Sequence, residues 1–112
     1  MLVIGVAFAG ALGVLTRYGL SSWVGSAPWV VVGINVLGSF LLGALVGTGA
    51  SSDLRAVCGV GFLGGFTTFS TFSVDVFAAL EEGRAGRAFA VVALSVCGGV
   101  AAAWAGWSLA RA

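Results

Sequence analysis

Apolar residues fill four long runs of this chain, and three short polar stretches separate them. A helix needs about 20 apolar residues to cross a bilayer's hydrocarbon core. Runs of that length lie at about residues 2–20, 29–48, 54–80 and 88–109, and they predict an all-α membrane protein, a single transmembrane domain of four helices over residues 1–112. Between the runs lie the turn-like stretch Ser21 to Pro28, the connection Gly49-Ala50-Ser51-Ser52-Asp53, and the charged loop Glu81-Glu82-Gly83-Arg84-Ala85-Gly86-Arg87. Pro28 suits the first turn of the second helix, where a missing N–H costs nothing. Asp53 or Ser52 is expected to cap the third.

Two of the runs carry small residues at four-residue spacing: Gly43-x-x-x-Gly47, and Gly98-x-x-x-Ala102-x-x-x-Gly106. In lipid such a stripe lets helix backbones approach closely. Trp29, Trp104 and Trp107 fall near predicted span ends, where indole rings favour the headgroup level.

The third run breaks the pattern. Gly64-Gly65-Phe66-Thr67-Thr68-Phe69-Ser70-Thr71-Phe72-Ser73 mixes glycine, hydroxyls and aromatic rings inside a segment without charge from Ala56 to Val74. Glycine costs a helix about 1 kcal/mol relative to alanine, so the span is expected to be broken near its middle, at Gly64-Gly65. Irregular backbone at membrane depth survives only when protein buries it or a wet cavity lines it. Such broken helices offer carbonyls to a cation or N–H groups to an anion. The plainer reading is a glycine-rich contact whose Ser and Thr bond back to their own helix. Phe69 and Phe72 share one helix face, either as packing or as positive ring edges against an anion, with the Ser70 and Thr71 hydroxyls beside them. Asn35 stands in an apolar run and needs a partner, for which Ser95 is a candidate. Arg17, inside the first run, either snorkels to the interface or attracts an anion.

Composition agrees: 60% of residues are hydrophobic, 8% are charged and none is His, where a soluble domain carries about a quarter charged residues. A net charge of +1 without a basic cluster gives no footing for nucleic acid. No cleavable signal peptide is expected, because the N-terminus lacks a basic region ahead of its apolar run. Cys58 and Cys97 are expected to be small buried packing residues. No base, nucleophile dyad or metal-ligand cluster supports an enzyme. Four crossings set Arg55 and Arg111 on one side of the membrane and Arg17, Arg84 and Arg87 on the other. That near balance gives the positive-inside rule nothing to act on, so insertion in both orientations and an antiparallel dimer are expected.

The stretch 64–73 resembles the signature of the Fluc (CrcB) fluoride channels. The similarity extends to Gly10, Gly13, Arg17 and Tyr18 in the first run and to Asn35-Val36-x-Gly38-Ser39-Phe40-Leu41-Leu42-Gly43 in the second. The resemblance implies a passive fluoride channel of the inner (plasma) membrane, an antiparallel dual-topology dimer with two pores and a structural sodium ion at its centre. By position, it implies that Phe69 and Phe72 line the pores, that Asn35 is the pore amide, and that Ser70 and Thr71 form a polar track, with Ser95 nearby. It places Arg17 at a vestibule and gives sodium the backbone carbonyls of Gly64 and Thr67 from each subunit. The family often has Glu where this chain has Asp75, and a pore tyrosine of the fourth span has no counterpart here. The partner is an identical subunit or a paralogue. A small multidrug transporter is the rival of similar length, but it calls for a Glu in the first span, which holds no acid. A structural membrane subunit packing through its glycine faces is the other alternative.

Overall fold

The structure is a computed structural model describing residues 1–25 and 27–112. Among these residues it is helical, without strands. Helix α1 spans Leu2–Val24 and α2 spans Pro28–Gly47, with Pro28 at its start. Helix α3 covers residues 52–66 in three windings: Ser52–Leu54 and Gly64–Phe66 are α-helical, and Arg55–Leu63 between them is π-helical. Helix α4 spans Phe69–Glu81 and α5 spans Ala85–Arg111. Four stretches, Leu2–Val24, Pro28–Gly47, Ser52–Glu81 and Ala85–Arg111, are long and apolar enough to cross a membrane.

Helix ends depart from the sequence expectation for local reasons. The first helix continues through Ser21 and Ser22, because the Ser22 hydroxyl donates to the Tyr18 carbonyl at 2.9 Å instead of competing for a turn. It stops at Gly25, whose φ of 121° is one that other residues rarely adopt. Ser26, part of the expected turn, lies outside the described residues. The cap of α3 is Ser51, not Ser52 or Asp53: its Oγ accepts from the Leu54 N–H at 3.2 Å. The charged loop narrows to Glu82–Arg84, because α4 closes on a glycine cap at Gly83 (φ 76°) with the Arg84 N–H donating to the Ala79 carbonyl.

Packing is organised in two pairs, α1 with α3 and α2 with α5. In the second pair a Cβ at Gly43 would fall on the Ala103 carbonyl, one at Gly47 on Trp107, and one at Gly106 on the Phe40 carbonyl. In the first pair Gly13 sits against Phe62 and Phe66, and Gly65 against the Gly10 carbonyl. Both seams bring backbones together as small-residue stripes do in lipid. The numbering rises together along each seam, so the members of each pair run parallel. That is what four alternating crossings require.

The buried core is small and centred on Ile34 (3% exposed), Leu63 and Phe66 (4%). Most large apolar side chains point outward, as they do when lipid is the solvent. The two cysteines follow that rule and not the packing expectation: Cys58 is half-buried, Cys97 is exposed, and both are free thiols. Trp29 and Trp107 sit beneath arginines, with Arg87 at 6.0 Å and Arg111 at 4.4 Å from the respective ring centroids.

Candidate functional site

Helix α3 ends at Phe66. Thr67 (φ −88°, ψ 160°) and Thr68 (φ −151°, ψ 119°) are extended, and helical winding resumes at Phe69. Gly64 and Gly65 are themselves helical, so the departure does not fall on the glycine pair where the sequence placed it. Gly65 is small for another reason, its close approach to α1. What diverts the chain is Asn35, on α2. Its Nδ2 donates to the Thr68 carbonyl at 3.0 Å and its Oδ1 accepts from the Thr68 N–H at 2.8 Å. An extended residue points its N–H and C=O to the same side, so one amide side chain satisfies both.

Two neighbouring groups complete the arrangement. Thr68 caps α4, its Oγ1 accepting from the Thr71 N–H at 3.3 Å. Arg17 reaches across from α1, and its Nε donates to the Gly65 carbonyl at 3.2 Å, near the C-terminal end of α3, where a cation is favoured. The side chain is half-buried, and this bond uses only Nε, so both terminal guanidinium NH2 groups keep their donors. Ser95 is not the partner of Asn35: the amide bonds to Thr68, and Ser95 Oγ is buried without a hydrogen-bond partner among the described residues.

Beside the interruption lies an open cavity of about 620 Å³. Of the residues singled out in the sequence, it gathers Asn35, Gly64, Thr67, Phe69, Phe72 and Ser95. Ser70, Thr71 and Arg17 do not line it. The rings of Phe69 and Phe72 lie 5.6 Å apart at 50°, a tilted pairing. Phe69 is 78% exposed, which rules out a core-packing role within the chain. Ser39, part of the second-run motif but given no role in the sequence reading, also lines the cavity. The available signal was its spacing: a hydroxyl four residues after Asn35 lies on the same helix face. Asp75 does not line the cavity, and its Oδ2 is buried without a partner among the described residues.

A multi-pass helical membrane protein with a polar-lipped cavity at a helix interruption is therefore defined by fold and geometry together. The family described as "CrcB-like protein, Camphor Resistance (CrcB)" matches residues 4–107. A Rhodospirillum centenum protein named "Fluoride-specific ion channel FluC" is 45% identical over 120 residues, covering 98% of this chain and 95% of its own. A Stutzerimonas stutzeri protein of the same name is 45% identical over 117 residues, with coverages of 95% and 94%. The "Fluoride-specific ion channel FluC 2" of Symbiobacterium thermophilum is 44% identical over 116 residues, again with 95% and 94%. The chain belongs to the CrcB family.

Proposed function

We propose that this protein is a fluoride-selective channel that lets cytosolic fluoride leave the cell passively. The observation that carries the reading is the cavity in which an amide, a hydroxyl without a partner and two tilted phenyl rings converge. Relatives that the chain matches along nearly its whole length are named for that ion. Fluoride is small and strongly hydrated, so entry into a mostly apolar path requires several donors to replace its water. Asn35 retains a second Nδ2 hydrogen beyond the one given to Thr68, and Ser95 Oγ, covered and unbonded among the described residues, is a second donor once its side chain turns into the cavity that Ser95 lines. The ring edges of Phe69 and Phe72 supply weaker positive surface. Hydrogen fluoride enters neutral and ionises inside, and a negative-inside potential drives the anion out with about 2.3 kcal/mol per 100 mV. No coupling step is needed.

The working unit in this reading is an antiparallel dimer of two copies in the cell membrane, its four-span protomers broken at Thr67–Thr68. A paralogous partner is the variant of this arrangement. A structural sodium ion fits the residues present. In a continuous helix the Thr68 N–H would go to the Gly64 carbonyl and the Thr71 N–H to the Thr67 carbonyl. Those donors are diverted to Asn35 and to Thr68 Oγ1. Two uncharged carbonyl oxygens are left beside the cavity, the hard donor type an alkali cation takes. Gly64 and Thr67 of each copy would hold the ion, which supplies fixed positive charge where the two copies meet.

Efflux of fluoride and of chloride from liposomes containing the purified protein tests the reading. Fluoride is expected to leave rapidly and chloride to stay. Comparable efflux of both ions would overturn it.

A further inference from the structure

We infer that Asn35 and Thr68 are positioning residues for the cation, in addition to any contact Asn35 makes with fluoride. The inference rests on the cation reading above. It starts from a competition for two backbone N–H groups. Closing the helix through residues 64–71 would give the Thr68 and Thr71 N–H groups back to the carbonyls of Gly64 and Thr67. Each N–H is instead held by a side-chain oxygen: Asn35 Oδ1 at 2.8 Å and Thr68 Oγ1 at 3.3 Å. Asn35 adds a second grip through the Thr68 carbonyl at 3.0 Å, which fixes Thr68 in the extended conformation that its capping role needs. Gly38, less than one turn from Asn35 on α2, packs directly under the Thr67 side chain and leaves room for this path of the chain.

The two side chains thus keep both carbonyls free of competing donors. Removing Asn35 frees Thr68 to turn helical and its N–H to return to the Gly64 carbonyl. Removing the Thr68 hydroxyl leaves the Thr71 N–H unbonded and so favours the closed helix in which it reaches the Thr67 carbonyl. In either case a cation must compete with a returning hydrogen bond. Asn35 joins two sites in this way, because the amide that faces the cavity is the same group that opens the carbonyls. Loss of Asn35 is therefore expected to weaken cation binding as well as anion passage.

The test is the dependence of thermal stability on sodium, for the purified protein in detergent, with choline replacing sodium at constant ionic strength. A ligand that binds the folded state raises Tm once its concentration passes the dissociation constant. Wild type is expected to show such an onset. Asn35→Leu, close in size and without polar atoms, and Thr68→Val, isosteric without the hydroxyl, are each expected to move the onset up by about ten-fold, one hydrogen bond having to be broken before binding. Thr68→Ser keeps the hydroxyl and should restore the wild-type onset. Asn35→Asp keeps an acceptor for the Thr68 N–H in either protonation state and should not raise it. A Tm lowered equally at all sodium concentrations, with the onset unmoved, would mean a merely structural role and overturn the inference alone. A wild-type Tm indifferent to sodium would overturn the cation reading and this inference together. If Asn35→Leu does not yield folded protein, the Thr68→Val and Thr68→Ser pair decides.

Discussion

The seam between α2 and α5 and the stretch 64–72 are both rich in small residues, yet they do opposite things. Along the seam, Gly43, Gly47 and Gly106 let two backbones touch while the winding of both helices continues. At 64–72 the glycines also stay helical, and the chain leaves the helix only at Thr67 and Thr68. Glycine alone does not open a helix here. The difference is a side chain from another helix that offers a better-placed donor and acceptor than the next turn does. In lipid, where water cannot compete, that offer decides where the backbone bonds.

The largest effect expected from this contrast is at the seam. Gly43→Val puts methyl groups where the Ala103 carbonyl lies, and overpacking of this kind costs at least about 1–3 kcal/mol. Because the obstacle is backbone, we expect the folded species to vanish from gel filtration, whereas Gly64→Ala, whose new Cβ would meet within the chain only the Gly59 carbonyl at 3.7 Å, should still yield folded protein. A well-folded Gly43→Val would remove the distinction between the two regions.

Next in size is the loss of conduction without loss of fold. Asn35→Asp is expected to elute normally yet show no fluoride efflux from liposomes, because an added negative charge in a low-dielectric path repels the anion. Substantial flux through this variant would place the path away from Asn35.

A smaller loss is expected at the rings. Phe69→Ile and Phe72→Ile keep bulk but remove the positive edge, and flux should fall about ten-fold, the scale of a single aromatic contact. Unchanged flux in both would assign the rings to packing against a second copy. The smallest effect should come from Arg17→Gln, which weakens the bond to the Gly65 carbonyl. A stability loss of about 1 kcal/mol is expected by thermal unfolding, with chloride still excluded.

Orientation offers a separate check on the dimer. A C-terminal tag should be reached from both sides of the membrane in comparable amounts, and two lysines added at that end should drive one orientation. A native tag on a single side would favour a paralogous partner.

Much of the architecture could be read from the residues. Span lengths follow from hydropathy because bilayer thickness sets a length that composition must meet. The α2–α5 seam was visible in its four-residue spacing because close approach depends only on which residues lack bulk. Asn35, Phe69, Phe72 and Ser95 stood out as polar or aromatic positions in apolar surroundings, and the cavity gathers them. Ser51 as the cap and the helical state of Ser21 and Ser22 were less legible, since adjacent hydroxyls offer the same local chemistry and fine geometry selects among them.

Partners were decided elsewhere. Asn35 meets Thr68, and Arg17 meets Gly65, across 33 and 48 residues of chain. Spacing along one helix carries no information about such pairs, because they depend on how α1 and α2 dock against α3. The sequence determined that polar groups would sit at membrane depth and that each would need a partner, since leaving one unbonded in hydrocarbon costs several kcal/mol. Only the tertiary structure decided which backbone groups they take, and so moved the interruption from Gly64-Gly65 to Thr67–Thr68. The reason is that a helix gives up a hydrogen bond where a packed neighbour replaces it, and packing is a property of the whole fold.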